Sequence, residues 1–309
     1  MLLKKNIPIS YVFGKINYEM AFLTVYSVAV YVSHTYFNFP GASIPIAVPA
    51  ILGSILSLLL AFRSNQAYDR WWEARSLWGS IVNDSRSFAR QVISFIDKTY
   101  DGEDKKIMKE RMIKRQIAWS YSLSRFLRGQ NANKDLTKYI SEEEVVQIGN
   151  CQHIPLALME RQADDLRLLL RMGWINEYQQ VTMDETLTRF SNSMGACERI
   201  KNTVFPVTYS FYIHLLVLLF VLLLPFALIE SFGIFQIPLV VAISSSFFLI
   251  EKMAIHLQDP FENKPTDTPT TAISQTIERN LNQLMSVDTA AEPIKPIATI
   301  TETAVFYVL

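Results

Sequence analysis

Charged and aromatic residues are concentrated in one segment of this chain, AFRSNQAYDRWWEARSLWG (61–79), which follows directly on an apolar run. Its acids are Asp69 and Glu73, its tryptophans are Trp71, Trp72 and Trp78, and Arg70, Arg75 and the later Arg86 are suitable salt-bridge partners. Tryptophans beside arginines are typical of the boundary between a membrane and water. Neither glycine nor proline occurs from Arg63 to Arg75. The segment therefore predicts a salt-bridged helix that continues from an apolar span into water.

Other chemistry is poorly supported by the sequence. Arginines mixed with aromatic residues also bind nucleic acid, but 29 basic and 29 acidic residues leave no net charge, so no basic field attracts a polyanion. We find no nucleophile constellation, phosphate-binding glycine loop or zinc-ligand spacing. The sequence therefore predicts a protein that is not an enzyme, has no metal or cofactor and does not bind nucleic acid.

Two histidines keep one enzymatic alternative open. His34 and His214 fall in or near apolar spans, and membrane histidines can ligate haem, which would make the protein a membrane haem or redox enzyme. Such a site needs paired histidines that face each other, and the depths of these two need not match. A Soret band in the purified protein would favour this alternative. Another alternative is a membrane scaffold that carries out no transport and whose cytoplasmic helices bind another protein.

Two long runs with few charges predict four membrane spans. No Asp, Glu, Lys or Arg occurs from 20 to 62, and only Glu230 interrupts 202–250. A bilayer crossing takes about 20 apolar helical residues, so each run is long enough for two. FNFPGASIP (37–45) and IESFGIFQIP (229–238) contain the prolines and glycines that separate helices. We place the spans at 19–36, 45–63, 207–227 and 234–252.

Lysine and arginine predict the orientation. The two short turns contain neither residue, whereas Lys4, Lys5 and Lys15 precede the first span and Arg63 follows the second. By the positive-inside rule, both termini and the 64–206 segment are cytoplasmic, as expected for a multi-pass protein of the cell inner (plasma) membrane. Cys151 and Cys197 both fall in the cytoplasmic part, so no disulfide is expected.

The cytoplasmic part predicts helices. Residues 105–129 have helical spacing and end at Gly129, residues 155–173 begin at a proline and end at Gly173, and a long helix covers about 182–204. Ser141 and Glu144 are spaced as a capping box. We find no strand-period run of consequence. The sequence therefore predicts an all-α integral membrane protein in which 1–285 form one unit, with cytoplasmic parts at about 64–206 and 253–285, and 286–309 form a tail.

Five segments in the same order along the chain resemble bacterial bestrophin homologues. They are GSILSLLLAFRSNQAYDRWWEARSLWG (53–79), GACERIKNTVFPVTY (195–209), LLLPFALIE (222–230), QDPF (258–261) and TIERNL (276–281). The resemblance covers roughly 1–285. It implies an ion channel of five identical subunits around one pore, with a neck lined by the second helix and a further constriction at the cytoplasmic end.

Carried over by position, the neck residues are Ser54, Leu58 and Phe62. They lie one helical turn apart, so one helix can direct all three toward one axis; without the resemblance, contact with lipid or neighbouring helices is the better interpretation. The family has large apolar residues at all three positions, and Ser54 departs from that pattern. We therefore expect the barrier to ions at Leu58 and Phe62, where rings of apolar side chains exclude water.

The cytoplasmic constriction carries over to Tyr178, with Glu177 beside it. Family members commonly have an aliphatic residue there, and a tyrosine that packs on an adjacent helix is an equally good interpretation. Five copies of Glu177 would attract cations, and a ring of Glu230 could do so at the outer entrance, although a lone solvated acid is the simpler reading. We expect small monovalent ions to permeate, cations rather than anions, with a chloride channel as the alternative.

Calcium activation is not expected. Animal bestrophins bind Ca²⁺ through a dense acidic cluster after the last span, because this ion needs several oxygen ligands together. The matching stretch here, QDPFENKPTDTPT (258–270), has only Asp259, Glu262 and Asp267, separated by prolines and Lys264. We interpret residues 259–269 as a structural loop.

Overall fold

The computed structural model describes residues 13–36, 43–96, 102–203, 206–264 and 266–285, and two short strands in the tail. The helices are α1 (Asn17–Tyr36), α2 (Ala47–Phe95), α3 (Glu103–Leu127), α4 (Glu142–Gly149), α5 (Ile154–Arg171), α6 (Glu177–Asn202), α7 (Val207–Phe232), α8 (Gln236–Leu257) and α9 (Thr270–Leu284). Short 3₁₀ turns cover Leu136–Lys138 and Gly233–Phe235. The strands Ile297–Ala298 and Phe306–Tyr307 pair antiparallel, so the tail has strand structure that the sequence pattern did not predict.

Four helical segments form the first of two bundles, which we call the apolar bundle. It consists of α1, residues 47–67 of α2, α7 and α8, and its core includes Leu23, Leu56, Val217 and Val240. Helices α7 and α8 are joined by a short turn and form an antiparallel hairpin, in which the rings of Phe220 and Phe247 lie 4.9 Å apart. Gly233 adopts φ +50 at the turn between them, a conformation that costs glycine little.

The remaining helices form the second bundle around the rest of α2. Its core joins α2, α3, α5, α6 and α9 and contains large side chains such as Trp78, Phe88, Trp119 and Phe190, all fully buried. These helices have one apolar and one polar face, as expected for a water-exposed bundle. With 49 residues, α2 is about 74 Å long, and among the described helices it alone contributes to both cores.

Arg70 connects the two bundles at the middle of α2. Its Nε donates to the carbonyl of Gln258 at 2.8 Å, and its Nη2 donates to the carbonyls of Ile200 and Thr203 at 2.9 and 3.0 Å. These carbonyls lie at the C-terminal ends of α8 and α6, which leave such groups unpaired within the helix. Arg70 therefore fastens the ends of two helices to α2 where the chain passes from one bundle to the other.

The continuous helix predicted for 61–79 is confirmed. Several of its charged and aromatic residues, however, contact other helices and loops of the chain instead of neighbouring charges or the membrane interface. Glu73 pairs with Arg199 of α6 at 2.5 Å, and Arg86 donates to Asn280 of α9. Trp78 is fully buried in the second bundle, and Trp71 donates to the carbonyl of Thr266. Only Trp72 is exposed as a membrane-interface residue would be. The segment holds helices together instead of forming a local salt-bridged belt.

The predicted helix ends are largely confirmed. Gly129 and Gly173 adopt φ +65 and +67 just beyond α3 and α5, where the left-handed conformation closes a helix. Ser141 accepts from the Glu144 amide at 3.3 Å, but the reciprocal half of the predicted capping box is absent, which corrects that expectation. The Glu144 carboxylate binds Arg115 of α3 at 2.5 Å instead.

The four predicted spans coincide with helical segments. By length and composition, two helical stretches among the described residues are suited to cross a membrane, Ala47–Phe95 and Val207–Leu257, each of which contains 18 consecutive residues of high mean hydropathy, 1.8 and 2.7 respectively. The turn at Gly233–Phe235 divides the second stretch in two. Helix α1 is not among these stretches, so the count of four crossings stays a prediction.

The two cysteines are expected to differ in reactivity. Cys151 is exposed, whereas Cys197 is buried in α6, and burial raises the pKa of the Cys197 thiol to about 12. Since the thiolate is the nucleophile, a maleimide should label one cysteine per native chain at neutral pH and two after denaturation. Mass spectrometry of the adducts measures this, and Cys151→Ser should abolish native labelling. Native modification of Cys197 would show that the α6 packing is not as described.

Candidate pore-lining residues

Ser54, Leu58 and Phe62 lie along one exposed side of α2. Leu58 is 58 % and Phe62 is 54 % exposed, and Ser54 is also exposed. Two large apolar side chains exposed in one stripe are normally covered by another surface, and the single chain does not cover them. The stripe could face lipid, a neighbouring subunit or a pore shared by several subunits.

The opposite side of the same helix is packed against α7 and α8. Leu56 and Leu60 are both 1 % exposed. A Cβ placed on Gly53 would lie 3.2 Å from the Phe220 ring, so α2 and α7 approach closely there. The orientation of α2 is therefore fixed by its buried side, which in turn fixes the direction of the stripe at Ser54, Leu58 and Phe62.

Ser54 uses its hydroxyl hydrogen within the helix. Its Oγ donates to the carbonyl of Ala50 at 2.9 Å, an intrahelical bond that serine often makes in apolar surroundings. In this conformation the lone pairs of the hydroxyl remain to interact with solvent or an ion. Ser54 thus adds a small polar surface to a stripe that is otherwise apolar.

A polar cluster that the sequence reasoning missed lies next to Phe62. Arg63 and Glu251 are almost completely buried, with Nη1 and Oε1 3.7 Å apart. Arg63 Nη2 donates to the Ser210 hydroxyl at 3.0 Å, and His214 Nδ1 lies 3.2 Å from the Glu251 carboxylate. Arg63, Ser210, His214 and Glu251 belong to α2, α7 and α8, so the cluster joins three helices directly behind the stripe.

A second ion pair lies at the same end of the apolar bundle. Lys252 Nζ is 2.5 Å from the Glu19 carboxylate of α1 and donates to the carbonyl of Lys15. At the opposite end, uncharged groups make the contacts, since Gln236 donates to the carbonyl of Ser27 and Tyr26 donates to that of Leu222. The charges of the bundle are therefore gathered toward the end that joins the second bundle.

The histidine pair of the haem alternative is not brought together. His214 lies at the charged end of the apolar bundle beside Glu251. His34 lies in the last turn of α1, beyond Ser27, which contacts the uncharged end. Because the two imidazoles are at opposite ends, they cannot ligate one haem iron, and His214 is explained by its carboxylate partner.

Glu177 and Tyr178 occupy the first turn of α6. Asn176 caps this helix through a complete capping box with Gln179, each side chain bonding the backbone of the other at 2.9 Å. Tyr178 is 86 % exposed and Glu177 is exposed too. A rigid helix start thus presents both side chains outward, and the contact expected of a tyrosine packed on its own chain is not found among the described residues.

The geometry of α2 relates Tyr178 to the stripe. Glu73 and Asp84 follow Phe62 on α2 at intervals of eleven residues. At about 100° per residue, each interval brings the side chain back to within about 20° of the same direction around the helix axis. Glu73 and Asp84 bind Arg199 and Arg189 of α6. Helix α6 therefore covers, in the second bundle, the side of α2 that carries Phe62 in the first. Ser94 and Phe95, at the C-terminal end of α2, line one cavity together with Asn176. Tyr178 is two residues from Asn176 and therefore lies near this end of α2, about 50 Å from Phe62 along the helix.

Glu230 is exposed near the C-terminal end of α7. It lies three residues before the turn at Gly233, at the end of the apolar bundle that is remote from the second bundle. No ion pair of Glu230 occurs within the described part of the chain. The structure therefore leaves it as an isolated exposed acid, and its role at a pore entrance stays a prediction.

Two of the three acids in the loop that follows α8 pair with basic side chains. Asp259 lies 3.8 Å from Arg70, and Glu262 pairs with Lys201 at 2.8 Å, a hydrogen bond that lowers the pKa of Glu262. Asp267 is fully buried, and burial raises its pKa. Within the described residues no group of three or more metal-ligating side chains is assembled. The loop interpretation of 259–269 is confirmed for the residues described.

Several known proteins are similar to this chain in sequence and in fold. The model of the family described as Bacterial/Fungal Bestrophin protein matches residues 6–283. A voltage-dependent anion channel-forming protein of Nostoc sp. is 35 % identical over 250 residues, covering 79 % of this chain and 80 % of the relative. The protein YneE of Salmonella typhi, also named as voltage-dependent anion channel-forming, is 30 % identical and covers 88 % of each chain. The crystal structure of a bacterial bestrophin homologue from Klebsiella pneumoniae superposes with a TM-score of 0.83 at 27 % identity, covering 89 % of this chain and 100 % of the other.

Proposed function

Since the chain belongs to the bacterial and fungal bestrophin family, we propose that it forms a homopentameric ion channel in the bacterial inner membrane. The observation that carries the proposal is the stripe of Ser54, Leu58 and Phe62, which is exposed although the other side of the same helix is buried. Five copies of α2 around a common axis would direct this stripe into the pore. The remaining exposed sides of the apolar bundle would then contact lipid and neighbouring subunits.

Leu58 and Phe62 form the gate in this proposal. An ion passing a ring of apolar side chains loses water that the ring cannot replace, so a narrow neck dewets and closes, and a small widening admits water and ions. Ser54 makes its own level wetter, because its hydroxyl oxygen remains available. The barrier is therefore concentrated at the two apolar levels and is hydrophobic and steric in nature.

Tyr178 and Glu177 form the second constriction, at the cytoplasmic end. This assignment is supported by α6, which covers the side of α2 that carries Phe62 in the first bundle. The capping box at Asn176 holds the first turn of α6 rigid, which a constriction requires. A phenol hydroxyl both donates and accepts hydrogen bonds, so a ring of Tyr178 can replace part of the water around either kind of ion.

We propose both termini and the second bundle on the cytoplasmic side. Lysine, arginine and acidic pairs of the apolar bundle are gathered at the end that joins the second bundle, and Gly233 and its neighbours at the other end carry no Lys or Arg. This distribution satisfies the positive-inside rule.

For selectivity, the relatives and the residues favour different ions. The relatives are named as anion channel-forming proteins, which favours anions, and we propose small monovalent anions such as chloride as the permeant ions. A cation channel is the second candidate, because Glu177 is exposed beside Tyr178 and would repel anions. The names of the relatives thus argue against the cation preference expected from the sequence.

Purified protein in planar bilayers with asymmetric KCl tests the proposal. A reversal potential near the chloride equilibrium potential supports anions, and one near the potassium potential supports the second candidate. Cysteines placed at 54, 58 and 62 should react with water-soluble reagents from the pore. A monomeric protein, or the failure of all three positions to react in every state, would overturn the channel proposal itself.

Neutralising Glu177 should shift the selectivity toward anions. In Glu177→Gln the five negative charges at the cytoplasmic constriction are removed, so the ratio of chloride to potassium permeability should rise by about threefold to tenfold, as expected for charges in a narrow opening. The reversal potential in the same KCl gradient measures this. Glu143→Gln, which neutralises an exposed acid of α4, is the control and should leave the ratio unchanged. An unchanged ratio in Glu177→Gln would remove Glu177 from the ion pathway.

A further inference from the structure

A cavity of about 460 Å³ lies between the C-terminal end of α3 and the N-terminal end of α9, in the second bundle. Arg125 and Arg128 of α3, Lys134 of the following loop, Asn131, Asn263 and Thr271 are among its lining residues. Three of these side chains are cationic, and no carboxylate belongs to the lining among the residues that the structure describes. None of its lining residues is one of the proposed neck or constriction residues.

Arg128 is held in place at the cavity but is incompletely satisfied. Its Nη1 donates to the Thr271 hydroxyl at 2.7 Å, whereas its buried Nε has no hydrogen-bond partner in the described part of the chain. Burial lowers the pKa of the Arg128 guanidinium to about 10, and the buried carboxylate of Asp267 opposes that shift. At neutral pH the group is therefore charged and incompletely neutralised, a state that a bound anion would stabilise.

Arg125 contributes the second guanidinium. Its Nη2 pairs with Asp135 at 2.8 Å, and its buried Nη1 is unbonded within the described ranges. Asp135 is also 3.8 Å from Lys138, so its charge is shared between two cations. Lys134 is exposed, and a small movement of its flexible side chain is enough to reach a bound group.

The start of α9 adds to the positive character of the cavity. Thr271 is in the first turn of this 15-residue helix, and Pro269 at its N-cap makes no side-chain cap hydrogen bond. The amides of a first turn attract anions. The proximity of Arg125 and Arg128 to the last carbonyls of α3 gives both a structural role as well, but that role does not account for Lys134 or for the polar lining around it.

We propose that this cavity binds a phosphate-bearing ligand through Arg125, Arg128 and Lys134. Guanidinium groups recognise phosphate oxygens with charge-assisted hydrogen bonds, and Asn131 and Asn263 offer amides for further polar contacts. The volume lies in the range of small-molecule sites, about 300–1,000 Å³, so the cavity is larger than a bare phosphate needs. The phosphate group belongs either to a soluble phosphorylated solute or to the headgroup of an anionic lipid.

The proposal is tested by binding to the detergent-solubilised, full-length protein. Inorganic phosphate and short-chain phosphatidylglycerol are titrated separately, and the apparent melting temperature and the dissociation constant are measured, with KCl at matched ionic strength as the reference. We expect one or both probes to bind and to raise the melting temperature. Binding of phosphate identifies a soluble solute as the source, and binding of phosphatidylglycerol alone identifies a lipid headgroup.

Substitutions locate the binding. Lys134→Glu, on the exposed rim, should weaken the bound probe by about tenfold or more, the effect of losing one charge-assisted hydrogen bond, without changing the melting temperature of the free protein. Arg128→Gln should weaken the bound probe to a similar degree but should also lower the melting temperature of the free protein, because Arg128 lies near the buried carboxylate of Asp267 and bonds to Thr271. Arg167→Ala removes an exposed arginine that pairs with Asp164 of its own helix; it is the control and should bind as the wild type does. Failure of both probes to bind, or equal affinity in Lys134→Glu and Arg167→Ala, overturns the proposal. Neither outcome depends on whether the protein conducts ions.

Discussion

Phe62→Ala should raise the channel's mean current by about tenfold or more. In the proposed neck, five phenyl rings exclude water, and alanine would widen the pore and reduce the cost of wetting it. Removing about 1.4 kcal/mol from the barrier already gives a factor of ten in rate. The side chain is 54 % exposed in the single chain, so its truncation removes little internal packing. Single-channel recording in planar bilayers separates the rise into conductance and open probability.

A matched substitution on another helix makes this result specific. Phe211 of α7 is 61 % exposed and follows Ser210, which binds Arg63, so it lies at nearly the same level of the apolar bundle. Phe211→Ala should leave the current unchanged because Phe211 belongs to α7 and not to the helix proposed to line the neck. Phe62→Leu should keep the current near that of the wild type, since it preserves an apolar ring. Equal currents in Phe62→Ala and the wild type would show that the neck is elsewhere.

The sequence was sufficient to predict the features that depend on local pattern. Uncharged runs predicted the helices of the apolar bundle, and Gly129 and Gly173 predicted the ends of α3 and α5 to within two residues. The start of α6 was predicted at about 182, five residues late, because the capping box of Asn176 and Gln179 lacks the Ser or Thr that marks the usual pattern. The positions of Ser54, Leu58 and Phe62 on one face followed from spacing alone, but their placement around a pore came from the resemblance and stays a proposal.

Contacts between distant residues were not predictable. Glu144 has the spacing of a capping residue, but a long-range ion pair with Arg115 overrides the local preference. Glu73 binds Arg199, which is 126 positions away in the sequence, instead of the arginines beside it. In the same way, Arg63 and Glu251 lie at the ends of two predicted spans, and nothing in either segment indicates that their side chains are in contact. Charge and periodicity fix which side of a helix is polar, and only packing decides which partner each group finds.

Glu251→Ala should destabilise the protein by about 3–5 kcal/mol, the usual result of removing one partner from a buried ion pair. The carboxylate is 4 % exposed and lies beside Arg63 and His214, so its loss leaves a buried guanidinium with less compensation in apolar surroundings. The apparent melting temperature in detergent should fall by on the order of 10 °C. Glu230→Ala is the matched control: Glu230 is exposed at the other end of α7, and its removal should change the melting temperature little.

The double variant Arg63→Leu/Glu251→Leu distinguishes the charge from the packing. Replacing a buried ion pair by apolar residues is often neutral, so the double variant should recover most of the stability that Glu251→Ala loses. If it is as unstable as Glu251→Ala, the polar cluster is needed for more than mutual neutralisation. Because Arg63 follows Phe62 directly on α2, the cluster also fixes the rotation of the helix that carries the proposed gate. A stable double variant with an altered open probability would therefore show that the cluster sets the orientation of Phe62, whereas an unaltered open probability would assign that orientation to the apolar contacts of Leu56 and Leu60 alone.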